Sequence, residues 1–273
     1  MRFGIHLPQY GRAASGEAVT RAAKQAEELG FADIWVSDHL AVPTGATYPP
    51  AFLYEPVVTL TWAAAATTRI GLGTSVLVLP YRHPLHLAKE LASLDLFSGG
   101  RLVIGAAAGW LEGEFDALGV PFGERGARAD ETIDAMRVCW EQRPVEHDGR
   151  FFPLHDLQVR PQPERRIPIW VGGTSPAALN RAATRGDGWH GNIDRDDKLS
   201  EHVRVLRERR PEDSFTISTR TQWDGLSGDL ADYPRRVTAL EAAGVQHLVL
   251  GPVQGDLDNW LRSVEALATT LMS

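Results

Sequence analysis

Short runs of β-branched and apolar residues alternate along the chain with longer stretches whose apolar positions recur at helical spacing, and the alternation persists from the first residues to the last. The runs that read as strands are FGIHLP from Phe3, DIWVSD from Asp33, IGLGTSVLVL from Ile70, LVIGAAAG from Leu102, IPIWVGG from Ile167, GWHGN from Gly188, FTISTR from Phe215 and HLVLGPV from His247. Between them, GEAVTRAAKQAEELG reads as a helix closed by Gly30 and LHLAKELASLDLFSGG as one stopped by a glycine pair. Eight βα units in 273 residues predict a parallel sheet closed into a (β/α)8 barrel, with an open doubly wound sheet as the alternative. One segment breaks the rhythm. Residues 144–168 are rich in proline and contain a hairpin signal with Asp148 and Gly149 at the turn, which reads as an insertion between the fourth helix and the fifth strand. The whole chain, 1–273, is expected to be a single barrel domain carrying that insertion.

Composition narrows the function classes. An apolar share of 43% is enough for a sizeable core, and no apolar run approaches the roughly 18 residues of a membrane span. A net charge of −7 argues against nucleic acid as a partner, and the local clusters PERR and RERR read as solvated surface. The one cysteine, Cys139, cannot form an internal disulfide and reads as packing within a helix. MRFGIHLPQY begins directly with a strand pattern and has no signal-peptide character, so a cytoplasmic location is expected.

In a βα barrel the ligand site lies where the strands end, so the residues closing each strand carry the chemistry. The second strand ends in Asp38 and His39, a pair costly to bury, with the histidine the natural proton donor or acceptor at a barrel mouth; the structural alternative is a turn cap and a backbone-bonded histidine. WVGGTSPAALNRAA stops a strand at Gly172 and Gly173, offers Ser175 as N-cap and Pro176 as first helical residue, and so aims free N–H groups at the mouth, where an anion such as phosphate fits. GTSVLVLPYRHPLH places Thr74 and Ser75 where a planar ligand can lie against backbone, with a bulge expected there. His83 and His86 read as structural, and no metal site is expected. AAAGWLEGEF puts Trp110, Glu112 and Glu114 in a long loop of the kind that covers a site. Trp189 and His190 fall on the sixth strand, and Arg220 ends the seventh. The chain has no G-x-G-x-x-G, no G-x-S-x-G and no H-x-H on the first strand, so a bound cofactor is expected to carry the hard chemistry.

Taken in order, FGIHLP, DIWVSDH, GLGTSVLVLPYRHP, LFSGGRLVIG, GWLEGEF, PIWVGGTSP and GDGW resemble the luciferase-like monooxygenase superfamily, and within it the coenzyme F₄₂₀ (deazaflavin)-dependent oxidoreductases. The resemblance covers nearly the whole chain. It implies a (β/α)8 barrel, a homodimer, and flavin or deazaflavin at the mouth. Carried over, Asp38 contacts the ring system; Thr74, Ser75 and Val76 form a bulge behind one ring face, with a cis peptide bond between Ser75 and Val76; Ala108 and Gly109 border the ring or its tail. Gly172, Gly173 and Thr174 hold the cofactor phosphate, and His39 moves the proton that accompanies hydride transfer. Trp110, Glu114, His190 and Arg220 are candidates for the substrate side or a lid. The set of basic residues that binds sugar phosphate in one branch of the superfamily is not found here. The expected activity is hydride transfer between reduced F₄₂₀ and a small organic substrate; an FMN-dependent monooxygenase and a non-catalytic flavin-binding barrel are the alternatives.

Overall fold

The apolar strand runs form eight parallel strands that close on themselves. In the computed structural model, which describes residues 1–195 and 197–272, these are β1 (Arg2–His6), β2 (Asp33–Val36), β3 (Gly71–Thr74) continued by β4 (Leu77–Val78), β5 (Leu102–Ala107), β8 (Ile169–Gly172), β9 (Gly188–Asn192), β10 (Thr216–Thr221) and β11 (His247–Leu250). Each pairs with its sequence neighbour, β11 pairs back onto β1, and β3 and β4 share the edge of β5, so no edge is left open. The run from Ile70 is one barrel strand broken at Ser75 and Val76, the interruption that the hydroxyl-rich stretch suggests.

Nine α-helices among the described residues wrap the outside: α1 (Gly16–Glu28), α2 (Pro56–Ala66), α3 (Pro84–Phe97), α4 (Glu112–Leu118), α5 (Arg125–Glu141), α6 (Pro176–Arg185), α7 (Leu199–Arg209), α8 (Tyr233–Ala242) and α9 (Leu257–Leu271). Their starts are set locally. Ser15, Glu55, Ser175 and Asp256 each accept an amide of the first turn through the side chain, and proline stands at the start of α2, α3 and α6. An antiparallel hairpin, β6 (Val145–His147) and β7 (Leu154–Leu157), lies between α5 and β8 and is tied to α5 by Glu131, which accepts the amides of Phe151 and Phe152. The stretch read as a loop after β5 is partly helical: α4 occupies it. Cys139 is buried, and burial raises its thiol to about 11, as packing requires.

Strand pleating sorts side chains between two cores. Ile34 and Val36 pack outward beneath the helices, whereas Trp35 points into the barrel and stacks on Trp170 and His190 at 5.6 and 5.0 Å between ring centres. So large a side chain fits because its neighbours are bare. A Cβ on Gly73 would stand 2.5 Å from the Trp35 ring, and one on Gly4 2.6 Å from its Nε1.

Candidate functional site

Where the strands end, their loops enclose a cavity of about 390 Å³, within the range of small-molecule and cofactor sites. Of the residues singled out from the sequence, Asp38, His39, Ser75, Val76, Ala108, Gly109, Trp110, Gly172, Gly173, Thr174, His190 and Arg220 line it together. Two do not. Thr74 turns away and donates from Oγ1 to Gly105 O at 2.8 Å, because pleating directs alternate residues to opposite faces. Glu114 is fully buried behind His39 rather than in a covering loop, since α4 turns its third residue inward. Trp189, next to His190, faces the helices and donates to Gly173 O at 2.8 Å.

At one end of the cavity, β8 runs through Gly172 and Gly173 into α6. Ser175 Oγ accepts from Ala178 N, and the remaining amides of the first turn have no helix carbonyl to meet. Gly173 has φ +106°, a conformation that leaves glycine as the fitting residue, and the backbone there is bare to an approaching anion. Arg125, at the start of α5, lines the same cavity, and Arg181 Nη2, from the middle of α6, donates to Gly126 O at 2.8 Å and ties α6 to the start of α5.

At the other end stands His39. Burial opposes ionisation of Glu114, but hydrogen bonds from His39, Tyr81 and the amides of Ala41 and Leu40 outweigh it and hold the carboxyl below its ordinary range. The ionised group can only accept. It takes Leu40 N–H at 2.5 Å and Ala41 N–H at 3.1 Å on Oε1, and Tyr81 O–H at 2.7 Å and His39 Nδ1 at 2.8 Å on Oε2. His39 Nδ1 therefore carries the hydrogen of that bond, and Nε2 is the ring nitrogen not committed to Glu114. Asp38, beside it, is a satisfied carboxylate: Arg82 donates to both of its oxygens at 2.6 and 3.0 Å, and Val78 N to one at 2.8 Å. Arg82 also binds Glu55 at 2.9 Å. Sequence reasoning missed Tyr81, Arg82 and Glu55, whose partners are 27 to 44 residues away.

The floor of the cavity is continuous with a buried chain of side chains. The Ser75–Val76 peptide bond is cis, where the resemblance puts it. Ser75 Oγ meets His190 Nε2 at 2.8 Å, His190 Nδ1 meets Ser218 Oγ at 2.8 Å, Ser218 Oγ meets His247 Nδ1 at 2.8 Å, and His247 Nε2 meets Asp33 Oδ1 at 2.9 Å. Burial, with the charges of His247 and Arg220, holds His190 well below its ordinary pKa, so it is neutral. Asp33 is held below its ordinary range, so it is ionised and His247 Nε2 donates to it, while Ser218 Oγ links the Nδ1 atoms of the two imidazoles. Arg220 Nη1 donates to Ser75 O at 2.9 Å and completes the floor.

A closed barrel of eight parallel strands, a bare helix-start cradle at one end of its mouth and a carboxylate-held histidine at the other define a cofactor-type (β/α)8 site. Residues 1–223 match the family model of luciferase-like monooxygenases, and the chain belongs to that family. An uncharacterised protein of Mycobacterium tuberculosis is 32% identical over 277 residues, covering 92% of this chain and 93% of that one. An F₄₂₀-dependent glucose-6-phosphate dehydrogenase of Kineococcus radiotolerans is 35% identical over 173 residues, covering 61% of this chain and 50% of the relative. Two solved structures share the fold. The monooxygenase RslO1 of Streptomyces bottropensis superposes with a TM-score of 0.83 at 23% identity, over 100% of this chain and 99% of the other. An F₄₂₀-dependent secondary alcohol dehydrogenase superposes with a TM-score of 0.79 at 18% identity, over 97% and 98%.

Proposed function

We propose that this chain is an F₄₂₀-dependent oxidoreductase that moves a hydride to or from a small organic substrate at the barrel mouth. The observation that carries the reading is the pairing, in one cavity, of the anion cradle at α6 with His39 held by Glu114. The residues present fit a flavin-type group: a bare backbone for a phosphate at Gly172, Gly173 and Thr174, and Val76, Val78, Ala107 and Ala108 as apolar cover for a ring. The named F₄₂₀-dependent relative supports deazaflavin over FMN.

Bound in its reduced form, F₄₂₀ would supply a hydride. The chain does the rest. Gly172, Gly173 and Thr174 take the phosphate; Ser75 and Val76 back the ring; Ala108 and Gly109 border it; Asp38, fixed by Arg82, faces it without needing a further partner. His39 Nε2 gives or takes the proton while Glu114 stabilises the imidazolium. The reading includes a cytoplasmic homodimer, supported by the exposed Val58 and Trp62 of α2 and the single buried cysteine. Light scattering tests the dimer.

Fluorescence titration with F₄₂₀ and, separately, FMN tests the cofactor. A dissociation constant for F₄₂₀ about tenfold or more below that for FMN is expected; the reverse preference moves the assignment to FMN-dependent oxygen chemistry, and binding of neither to a non-catalytic barrel. His39→Ala is expected to cost about a hundredfold in turnover with F₄₂₀ affinity unchanged.

A further inference from the structure

Among the described residues, three arginines line the cavity, and two of them belong to its α6 end: Arg125 at the start of α5, and Arg181, whose Nε is held by Asp130 at 2.6 Å. Arg220 stands apart, on β10. Its Nη1 donates to Ser75 O at 2.9 Å and lies 3.5 Å from the hydroxyls of Ser37 and Ser75, which fixes the side chain across the ends of β2 and β3. The other edge of the guanidinium, Nε and Nη2, has no partner among the described residues, and neither atom is sealed away from the cavity. An arginine cannot shed its proton to relieve such a charge.

No described residue neutralises it either. Asp38 is the one acidic side chain among the described residues of the lining, and its oxygens are taken by Arg82 and Val78 N. The titratable groups within reach of the Arg220 charge are Tyr10, His6 and His190; burial holds the phenol above its ordinary range and both imidazoles below theirs, so all three are uncharged. The Tyr10 hydroxyl and the Gln222 side-chain amide line the same cavity and have no hydrogen-bond partner among the described residues. Across the mouth, Tyr48 and Trp110 stack at 6.1 Å with 16° between their planes and remain 44% and 50% exposed. Aromatic area left open at a cavity mouth is area a ligand can cover.

We infer that Arg220 anchors the substrate and that the substrate is a small organic carboxylate. This rests on the cofactor reading above, which fills the cradle at α6. A carboxylate matches the free edge of Arg220 with two parallel N–H···O bonds, from Nε and from Nη2. One guanidinium neutralises one carboxylate, whereas a phosphate dianion would be left half compensated. The body of the acid covers Tyr48 and Trp110.

The test begins with F₄₂₀ affinity of the native protein and of Arg220→Gln and Arg220→Lys. Benzoate, the neutral benzamide of the same shape, and phenyl phosphate are then titrated by calorimetry against the F₄₂₀-loaded protein, and against the cofactor-free chain with inorganic phosphate present to fill the cradle. Absence of F₄₂₀ binding removes the cofactor reading by itself, and the cofactor-free titration then decides the role of Arg220. The inference expects benzoate to bind about tenfold or more tightly than benzamide. Arg220→Gln is expected to bring that ratio to about one, with F₄₂₀ affinity within about threefold of the native value. Should the glutamine variant not fold, Arg220→Lys decides: it keeps the charge and loses the paired donors, so benzoate affinity is expected to fall about fivefold while benzamide affinity holds. Equal binding of benzoate and benzamide, or binding of neither, overturns the inference, as does a preference that survives the substitution. Tighter binding of phenyl phosphate than of benzoate overturns the carboxylate, and an F₄₂₀ affinity lowered about tenfold in Arg220→Gln would give the guanidinium to the cofactor instead.

Discussion

Replacing Glu114 by glutamine changes one atom and removes one charge, and the hydrogen bonds around that carboxylate fix the consequences. One carboxylate oxygen faces the amides of Leu40 and Ala41 at 2.5 and 3.1 Å, and backbone N–H groups have no accepting form. The glutamine must therefore turn its oxygen to them, and its NH₂ then faces Tyr81 O–H and His39 Nδ1, at 2.7 and 2.8 Å in the native protein. Tyr81 can rotate its hydrogen away. His39 can relieve the clash only by moving its hydrogen to Nε2, so the atom that accepted a proton now presents one. The lost charge-assisted bond to the imidazolium is worth about 1.5–3 kcal/mol, or a factor of about 10 to 150 in rate, and the wrong tautomer adds to it. Turnover is expected to fall by about a hundredfold or more, with F₄₂₀ affinity unchanged. Single-turnover absorbance of F₄₂₀ measures the rate, and fluorescence titration the affinity. Turnover within about threefold of the native protein, in a folded variant that binds F₄₂₀ normally, would refute the role given to the pair.

Three further outcomes rest on buried contacts. Ser218→Ala cuts the chain between Ser75 and Asp33 and leaves both imidazole Nδ1 atoms without their partner, so a stability loss of about 1–3 kcal/mol in urea denaturation is expected, and ¹⁵N spectra should show a changed His190 tautomer; an unchanged spectrum denies the link. Burial, with the Arg220 charge adding, lowers His6 to about 3. The unfolded chain binds that proton near pH 6.5, so stability falls as pH drops from about 6.5 toward 3, by about 1.4 kcal/mol per pH unit from this residue; His6→Asn should flatten the slope by that amount, measured as unfolding free energy across that window. Gly73→Ala drives a methyl group to within 2.5 Å of the Trp35 ring and is expected to cost about 1–3 kcal/mol or more; Trp35→Phe in the same chain should return part of the loss, and strictly additive costs would show that the two sites do not touch.

The sequence by itself determined the fold and the strand ends that line the cavity. Strand and helix periods are local properties, read two or four residues at a time, and eight repetitions leave few ways to close a parallel sheet. Ser175 and Pro176 are equally local: a cap and a first-turn proline act on amides within three residues, so the start of α6 was legible before any tertiary contact was known. The rim position of Asp38 and His39 came from strand ends alone. What the side chains do to one another was decided only by closure of the barrel. Glu114 sits 75 residues from His39, Arg82 sits 44 from Asp38, and the chain from Ser75 to Asp33 runs through three strands. Hydrogen bonds act over about 3 Å and no periodicity encodes such a partner. The same distinction separates Trp189 from His190: one faces the helices, the other the cavity floor, because the pleat turns neighbours apart and only the closed barrel decides which face is inside.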